Sequence, residues 1–308
     1  DQLEVIQKAN GAMNRVVELL AIEPTVVDSG TTRPPRGPLS VTCTGVGFGY
    51  DEVQPILHDV DLEIAGGRSV GVVGRTGSGK TTFSRLLLRL VETTHGCVAL
   101  GGVPIADIPL AELRRRVALV PQEVELFEGT IRDNVTMFDT EPTDADVEQA
   151  LRHVGLDSLV DTGIDRPLGS GGAGLSAGQA QLLALARVWL RNPDLVVLDE
   201  ATARVDPETE QRIALAIAEL MKGRTTFVIA HRLSTLDMVD EIVVFDSGRI
   251  AEHGDRTALV DNRDSRFRHL LELALAVESD TVGPEVVVER FVDDLEEPTV
   301  HRLEADVS

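Results

Sequence analysis

The chain has 308 residues, 43% of them hydrophobic and only 3% aromatic, which suits one large α/β domain with a core of Val, Leu, Ile and Ala. Its formal charge is −22, from 29 basic and 51 acidic residues. Such a surface repels DNA, RNA and anionic lipid headgroups, so nucleic acid is not expected as a partner.

The sequence opens at Asp1 rather than Met and shows no signal-peptide pattern, and it reads as a piece cut from something longer. Leu3, Ile6, Ala9, Met13, Val16, Val17 and Leu20 recur at helical spacing, predicting a helix that Pro24 ends. The stretch TVVDSGTTRPPRGPLS, rich in Pro, Gly and hydroxyl residues, predicts an extended linker. The compact domain is expected to start near Leu39, giving a helix and linker over 1–38, the domain over 39–275, and an acidic, weakly ordered tail over 276–308. Cys43 and Cys97 are too few for a disulfide framework and fit a reducing compartment, as two buried apolar residues. No apolar run has the length of a membrane span.

Residues 41–64 and 97–103 predict short strands of a small antiparallel layer. SVGVV (69–73), RVALV (116–120), LVVL (195–198) and TTFVIA (225–230) are apolar at nearly every position, as in strands of a parallel sheet buried on both faces. Each run ends in a polar or glycine-rich stretch: GRTGSGKT, Pro121-Gln122, Asp199-Glu200 and His231-Arg232. Open α/β sheets bind ligands beyond the carboxyl ends of their strands, so four polar clusters are expected along one edge of one sheet. Residues 128–192 look mainly helical, 242–254 predict a hairpin turning at Asp246-Ser247-Gly248, and 264–277 predict a helix.

Gly74-Arg75-Thr76-Gly77-Ser78-Gly79-Lys80-Thr81 fits G-x-x-x-x-G-K-[ST] between a predicted strand and a predicted helix, the context a P-loop requires. Its glycines let backbone N–H groups wrap phosphate oxygens, and the helix N-terminus adds positive potential. Lys80 is placed for the β- and γ-phosphates and Thr81 for Mg²⁺, with Thr82 beside it among the nucleotide-binding residues. By itself this says only that a nucleoside triphosphate binds. Asp199, at a strand end, is placed to hold Mg²⁺ through water, and Glu200 to polarise the attacking water. The stretch Gly171 to Gln179 precedes an apolar helix, and Ser176 is placed as its N-cap.

LSAGQ (175–179) resembles the LSGGQ signature of the ABC ATPases, and the other motifs fall in that family's order. The resemblance covers roughly residues 40–275. It implies a P-loop NTPase ABC cassette: a mixed, mainly parallel RecA-like core sheet with an antiparallel β subdomain and an α-helical subdomain. Tyr50 resembles the A-loop aromatic that stacks on adenine, Gln122 the Q-loop glutamine that touches Mg²⁺ and water, Asp206 the D-loop aspartate, and His231 the H-loop histidine that contacts the γ-phosphate. ATP and Mg²⁺ are the cofactors implied. In the family two cassettes sandwich two ATP molecules, so Ser176, Gly178 and Gln179 would serve the nucleotide of a partner chain.

The segment ALVPQEVELFEGTIRDNV (118–135) resembles ABC exporters in particular, where the region after the glutamine docks the coupling helices of the membrane domain. Residues 1–20 resemble the end of an exporter's last membrane helix. The implied protein is the ATP-hydrolysing motor of a multidrug- or lipid-type half-transporter at the cytoplasmic face of a membrane. Its implied partners are transmembrane domains and a second cassette. Three positions depart from the family pattern. Ala177 replaces the usual Gly and would be strained if its φ were positive. Ser170 stands where exporters carry Glu, and Ala203-Arg204-Val205-Asp206 replaces Ser-Ala-Leu-Asp. All three face a partner, which tilts the expectation toward a heterodimer. A soluble ABC ATPase acting on nucleic acid or ribosomes is disfavoured by the acidic charge and the lack of basic clusters. A cassette that binds ATP without hydrolysing it is disfavoured because both Glu200 and His231 are present.

Overall fold

The computed structural model describes residues 2–21, 24–51, 54–169, 174–199, 206–230 and 233–278. Helix α1 (Gln2–Leu20) is followed by the linker and then by strands β1 (Val41–Gly49), β2 (Pro55–Ile64) and β3 (Ser69–Gly74). Helix α2 (Lys80–Leu87) leads to β4 (His95–Leu100), β5 (Val103–Pro104), α3 (Leu110–Arg116) and β6 (Val117–Val120). A mostly helical stretch comes next, with β7 (Gly129–Thr130), α4 (Ile131–Thr136), α5 (Asp144–His153), α6 (Asp157–Asp161), β8 (Pro167–Leu168) and α7 (Ala177–Arg191). The chain then returns to the sheet through β9 (Leu195–Asp199), α8 (Pro207–Met221), β10 (Thr225–Ile229), β11 (Glu241–Asp246) and β12 (Arg249–Asp255), and closes with α9 (Arg256–Asp261) and α10 (Arg266–Glu278).

The main sheet has the order β12-β11-β3-β10-β9-β6. All neighbours are parallel except β11 and β12, which form the expected hairpin. The Val-rich runs are buried on both sides because each face feeds a different core. Val70, Val72, Val197, Phe227 and Ile229 face the cluster shared with the antiparallel sheet β2-β1-β4-β5. Val196, Leu198, Val228, Ile242 and Val244 face the cluster built with α7 and α8. Phe83 of α2 packs against Phe245 and Phe227, with ring centroids 5.3 and 6.0 Å away, and so seats the helix that follows the P-loop. The hairpin turns through Ser247 (φ 49°) and Gly248 (φ 77°), both in the left-handed region that a two-residue turn needs. A Cβ on Gly248 would lie 2.1 Å from the Ile56 carbonyl oxygen, so only glycine fits here. Its amide donates to the Ser78 carbonyl at 3.0 Å and its carbonyl accepts from the His58 amide at 2.9 Å, joining the hairpin to the P-loop and to β2.

The stretch whose composition predicts a linker is strapped to the domain. Arg89, just past α2, is 2% exposed, and its guanidinium donates to Val27 O at 2.9 Å, Ile108 O at 3.0 Å and Glu92 Oε1 at 2.9 Å. The Thr31 and Thr32 amides both donate to the Asp107 carbonyl at 2.9 Å, the Leu110 amide donates to Asp28 Oδ1 at 2.9 Å, and Arg116 donates to Pro35 O at 2.6 Å. Prolines cannot donate, but their carbonyls still accept, and arginines of the domain supply the protons. Replacing Arg89 with Leu leaves the buried Ile108 carbonyl, the Val27 carbonyl and a carboxylate without their donor. The stability should fall by about 2–4 kcal/mol, read as a lower urea midpoint at unchanged slope.

Candidate nucleotide site

Strand register brings the described parts of the predicted polar clusters together. Ile229 of β10 is level with Val72 of β3 on one side and with Asp199 of β9 on the other. Val120 of β6 is level with Leu198 of β9. The carboxyl ends of β6, β9, β10 and β3 therefore line one rim, carrying Gln122, Asp199 and the loop from Gly74 in order. One strand separates Asp199 from the P-loop strand, a gap of about 10 Å that a hydrated metal and a phosphate can span. Glu200 and His231 follow directly on this rim in sequence and lie outside the described residues, as do Ser170 and residues 203–205.

The P-loop is held by contacts that forbid side chains. Gly74 (φ 146°) would place a Cβ 2.2 Å from the Phe245 carbonyl, and Gly79 (φ 106°) one 2.6 Å from Leu57 Cδ2. Gly79 also precedes α2 without any side-chain cap, so the first amides of that helix are left for a ligand. Lys80 is 6% exposed, and its Nζ donates to Gly74 O at 2.6 Å and Arg75 O at 2.7 Å, which lays the ammonium over the loop. The Ser78 Oγ is buried in the loop with no hydrogen-bond partner among the described residues. Thr76, Gly77 and Thr81 are exposed around this cradle, and Thr82 is buried beneath it. A glycine-walled cradle with a buried ammonium fits a triphosphate. Among the described residues no group of three or more His, Cys, Asp or Glu is arranged to hold a metal ion. Mg²⁺ needs none, because it is bound through one or two carboxylates together with phosphate oxygens and water, and the Asp199 carboxylate with the Thr81 and Gln122 side-chain oxygens offers that chemistry.

Tyr50 stands at the end of β1 with half of its surface exposed. Its ring meets Phe48 edge-on at 4.9 Å, and its hydroxyl accepts from Arg85 Nη1 at 2.5 Å. The sequence motifs do not include Arg85, yet it lies one helical turn after Thr81 and so shares the face of α2 that follows the P-loop. Replacing Tyr50 with Ala should weaken nucleotide binding by about 1–3 kcal/mol, while Phe should retain most of it; titration with a fluorescent ATP analogue reads both.

At the start of α7, Ser176 forms a reciprocal cap with Gln179: the Gln179 amide donates to Ser176 Oγ at 3.2 Å and the Ser176 amide to Gln179 Oε1 at 3.0 Å. Ser176 is exposed, Gly178 is buried, and Gln179 is partly buried. Ala177 is the first residue of the helix and its φ is not positive, so the departure from Gly carries no backbone strain. Asp206 caps α8, accepting the Thr209 amide at 3.0 Å and hydroxyl at 2.7 Å. Those two bonds hold its carboxyl below the usual range. Beyond Gln122, Phe127 and Phe138 sit exposed with ring centroids 5.9 Å apart. Met137 (φ 57°) and Phe138 (φ 63°) are consecutive left-handed residues, a strain that proteins concentrate at functional positions.

Residues 57–203 match the family described as ABC transporter. The ATP-dependent lipid A-core flippase of Chromobacterium violaceum is 43% identical over 245 residues, 78% of this chain and 42% of that protein. The uncharacterized ABC transporter ATP-binding protein YwjA of Bacillus subtilis is 37% identical over 263 residues, 84% of this chain and 46% of that protein. A solved structure of a bacterial Atm1-family ABC exporter with ATP bound superposes with a TM-score of 0.76 at 33% identity, over 88% of this chain and 48% of that one. The chain belongs to the ABC transporter family. The cassette spans less than half the length of these relatives. Its six-stranded sheet, its four-stranded sheet and its helical stretch are the RecA-like, antiparallel β and α-helical parts that the resemblance implies. No helix among the described residues is long and apolar enough to cross a membrane.

Proposed function

We propose that this chain is the ATP-binding and ATP-hydrolysing motor domain of an ABC exporter, working at the cytosolic face of a membrane. The observation that carries this is the shared rim: the P-loop, Asp199 and Gln122 emerge from strand ends along one edge of the sheet, with a capped signature helix in the same fold. In this reading the amides of residues 74–79 and the start of α2 receive the phosphates, and Lys80 neutralises their oxygens. Thr81, Gln122 and Asp199 hold Mg²⁺, which when bound offsets charge on the β- and γ-phosphates. Glu200 polarises the attacking water, His231 meets the γ-phosphate, and Tyr50 stacks on the adenine. Ser176, Gly178, Gln179 and Asp206 face the nucleotide and P-loop of a second cassette.

The domain organisation follows as part of the same proposal. Residues 1–38 arrive from the membrane domain, 39–275 form the cassette, and 276–308 are an acidic extension. The exposed apolar residues Phe127, Met137 and Phe138 are the surface on which transmembrane domains press. Met13, Val16, Val17, Leu19 and Leu20 of α1 are exposed as well, which fits a helix continuing into that part of the protein. Purified chain should bind MgATP and double its mass when hydrolysis is blocked. Light scattering with and without nucleotide measures this, and a chain that binds no nucleotide overturns the reading.

For the second cassette of the assembled transporter we favour a sister chain over a second copy, while the isolated chain, given no sister, pairs with itself and turns ATP over slowly. Ala177 no longer supports that choice, since it is unstrained, and the argument rests on Ser170 and Arg204 in the sequence. Brisk ATP turnover by the cassette paired with itself, in a membrane-domain context, would count against the sister chain.

A further inference from the structure

Asn134, within α4, is fully buried and takes no part in the chemistry above. Its side-chain amide brackets the main chain of Phe127. Oδ1 accepts the Phe127 amide at 2.8 Å, and Nδ2 donates to the Phe127 carbonyl at 2.9 Å and the Thr130 carbonyl at 3.0 Å. Phe127 closes the loop that Gln122 opens. From the other side Arg187 of α7 reaches the same residue, with Nε donating to the Asn134 carbonyl at 2.7 Å and Nη2 to Oδ1 at 3.4 Å. Among the described residues this guanidinium meets no carboxylate within salt-bridge distance. Burial, with the charge of Arg191 nearby, pushes its pKa down to about 10. Desolvating a guanidinium against the oxygens of one residue is unfavourable where a leucine would pack without that penalty, so the position is not explained by stability alone. Arg187 also lies on the same continuous helix as Ser176, about 16 Å along its axis.

We propose that Asn134 and Arg187 form a positioning bracket that makes the 122–127 loop and α7 one mechanical body. A load on Phe127 and Phe138 then reaches the Ser176 end of α7 instead of being lost in the loop. This rests on the reading of Gln122 and Ser176 as nucleotide-facing residues. Neither Asn134 nor Arg187 touches nucleotide, and they act through the elements they join.

Amide hydrogen exchange of the whole chain, read together with steady-state ATP hydrolysis, tests the bracket. Arg187→Met keeps the aliphatic stem and removes both donors. Exchange at the Phe127 amide should rise about tenfold while the amides of β3, β9 and β10 keep their protection. Turnover at saturating ATP should drop about five- to tenfold with KM within about twofold, because Lys80 and Tyr50 are untouched. Arg187→Lys still carries a donor for the Asn134 carbonyl and should recover at least half of the lost turnover. Asn134→Leu should raise Phe127 exchange further. Unchanged Phe127 exchange in Arg187→Met overturns the bracket, as does equal loss of protection across the core strands, or no recovery with Lys. A parent chain that fails to hydrolyse ATP defeats the motor reading instead and leaves the exchange data to decide the bracket alone.

Discussion

Lys80→Met should abolish ATP hydrolysis and weaken ATP binding by about 100-fold, the largest loss expected from any described side chain. The ammonium sits in a nearly closed cradle, 6% exposed, and two loop carbonyls fix it at 2.6 and 2.7 Å. A charge fixed in so dry a place interacts with phosphate far more strongly than the same charge on a surface. Two charge-assisted hydrogen bonds, each worth about 1.5–3 kcal/mol, account for a loss of that size. Met fills the same volume, so the loop keeps its packing while Gly74 O and Arg75 O lose a donor. The melting temperature should fall only slightly, and that separates lost binding from lost folding. Calorimetric titration with MgATP decides the matter, and an affinity within threefold of the parent would remove Lys80 from the phosphate site.

Much of this site was legible in the sequence because parallel strands buried on both faces leave an unbroken apolar run. SVGVV, RVALV, LVVL and TTFVIA announced four strands, and their polar endings marked one rim. The hairpin at Asp246-Ser247-Gly248 was equally plain, because two consecutive left-handed residues need a turn-forming pair. What the sequence hid depends on contacts far apart in the chain. Arg89 sits in LLLRL and looks like one more solvated helix arginine, yet it is buried against Val27, 62 residues upstream. Nothing local reports that the proline-rich stretch would lie over it. Asn134 looks like a cap-region polar residue, and its bracket on Phe127 appears only once the 122–127 loop folds back on α4. The φ of Ala177 is also a tertiary outcome, set by where α7 begins.

The base assignment gives the second large effect. Glu200→Gln should cut turnover by about 10²- to 10⁴-fold and leave ATP bound. Asp199 ends β9 level with Ile229, which is itself level with Val72 of the P-loop strand. If Asp199 serves the metal, its neighbour Glu200 is the carboxylate left to accept a proton from water. Gln has the same shape and can still accept a hydrogen bond through its amide oxygen, but it carries no charge and is not a useful base. Binding should survive because Lys80, Tyr50 and the loop amides supply it. When hydrolysis loosens the dimer in the parent, the variant should accumulate as an ATP-bound pair at twice the mass, which removal of Mg²⁺ with a chelator would undo. Turnover within threefold of the parent removes Glu200 from the base role. Collapsed turnover without a heavier species keeps Glu200 as the base but refutes closure of two cassettes over the nucleotide, so the two halves of the proposal fail separately.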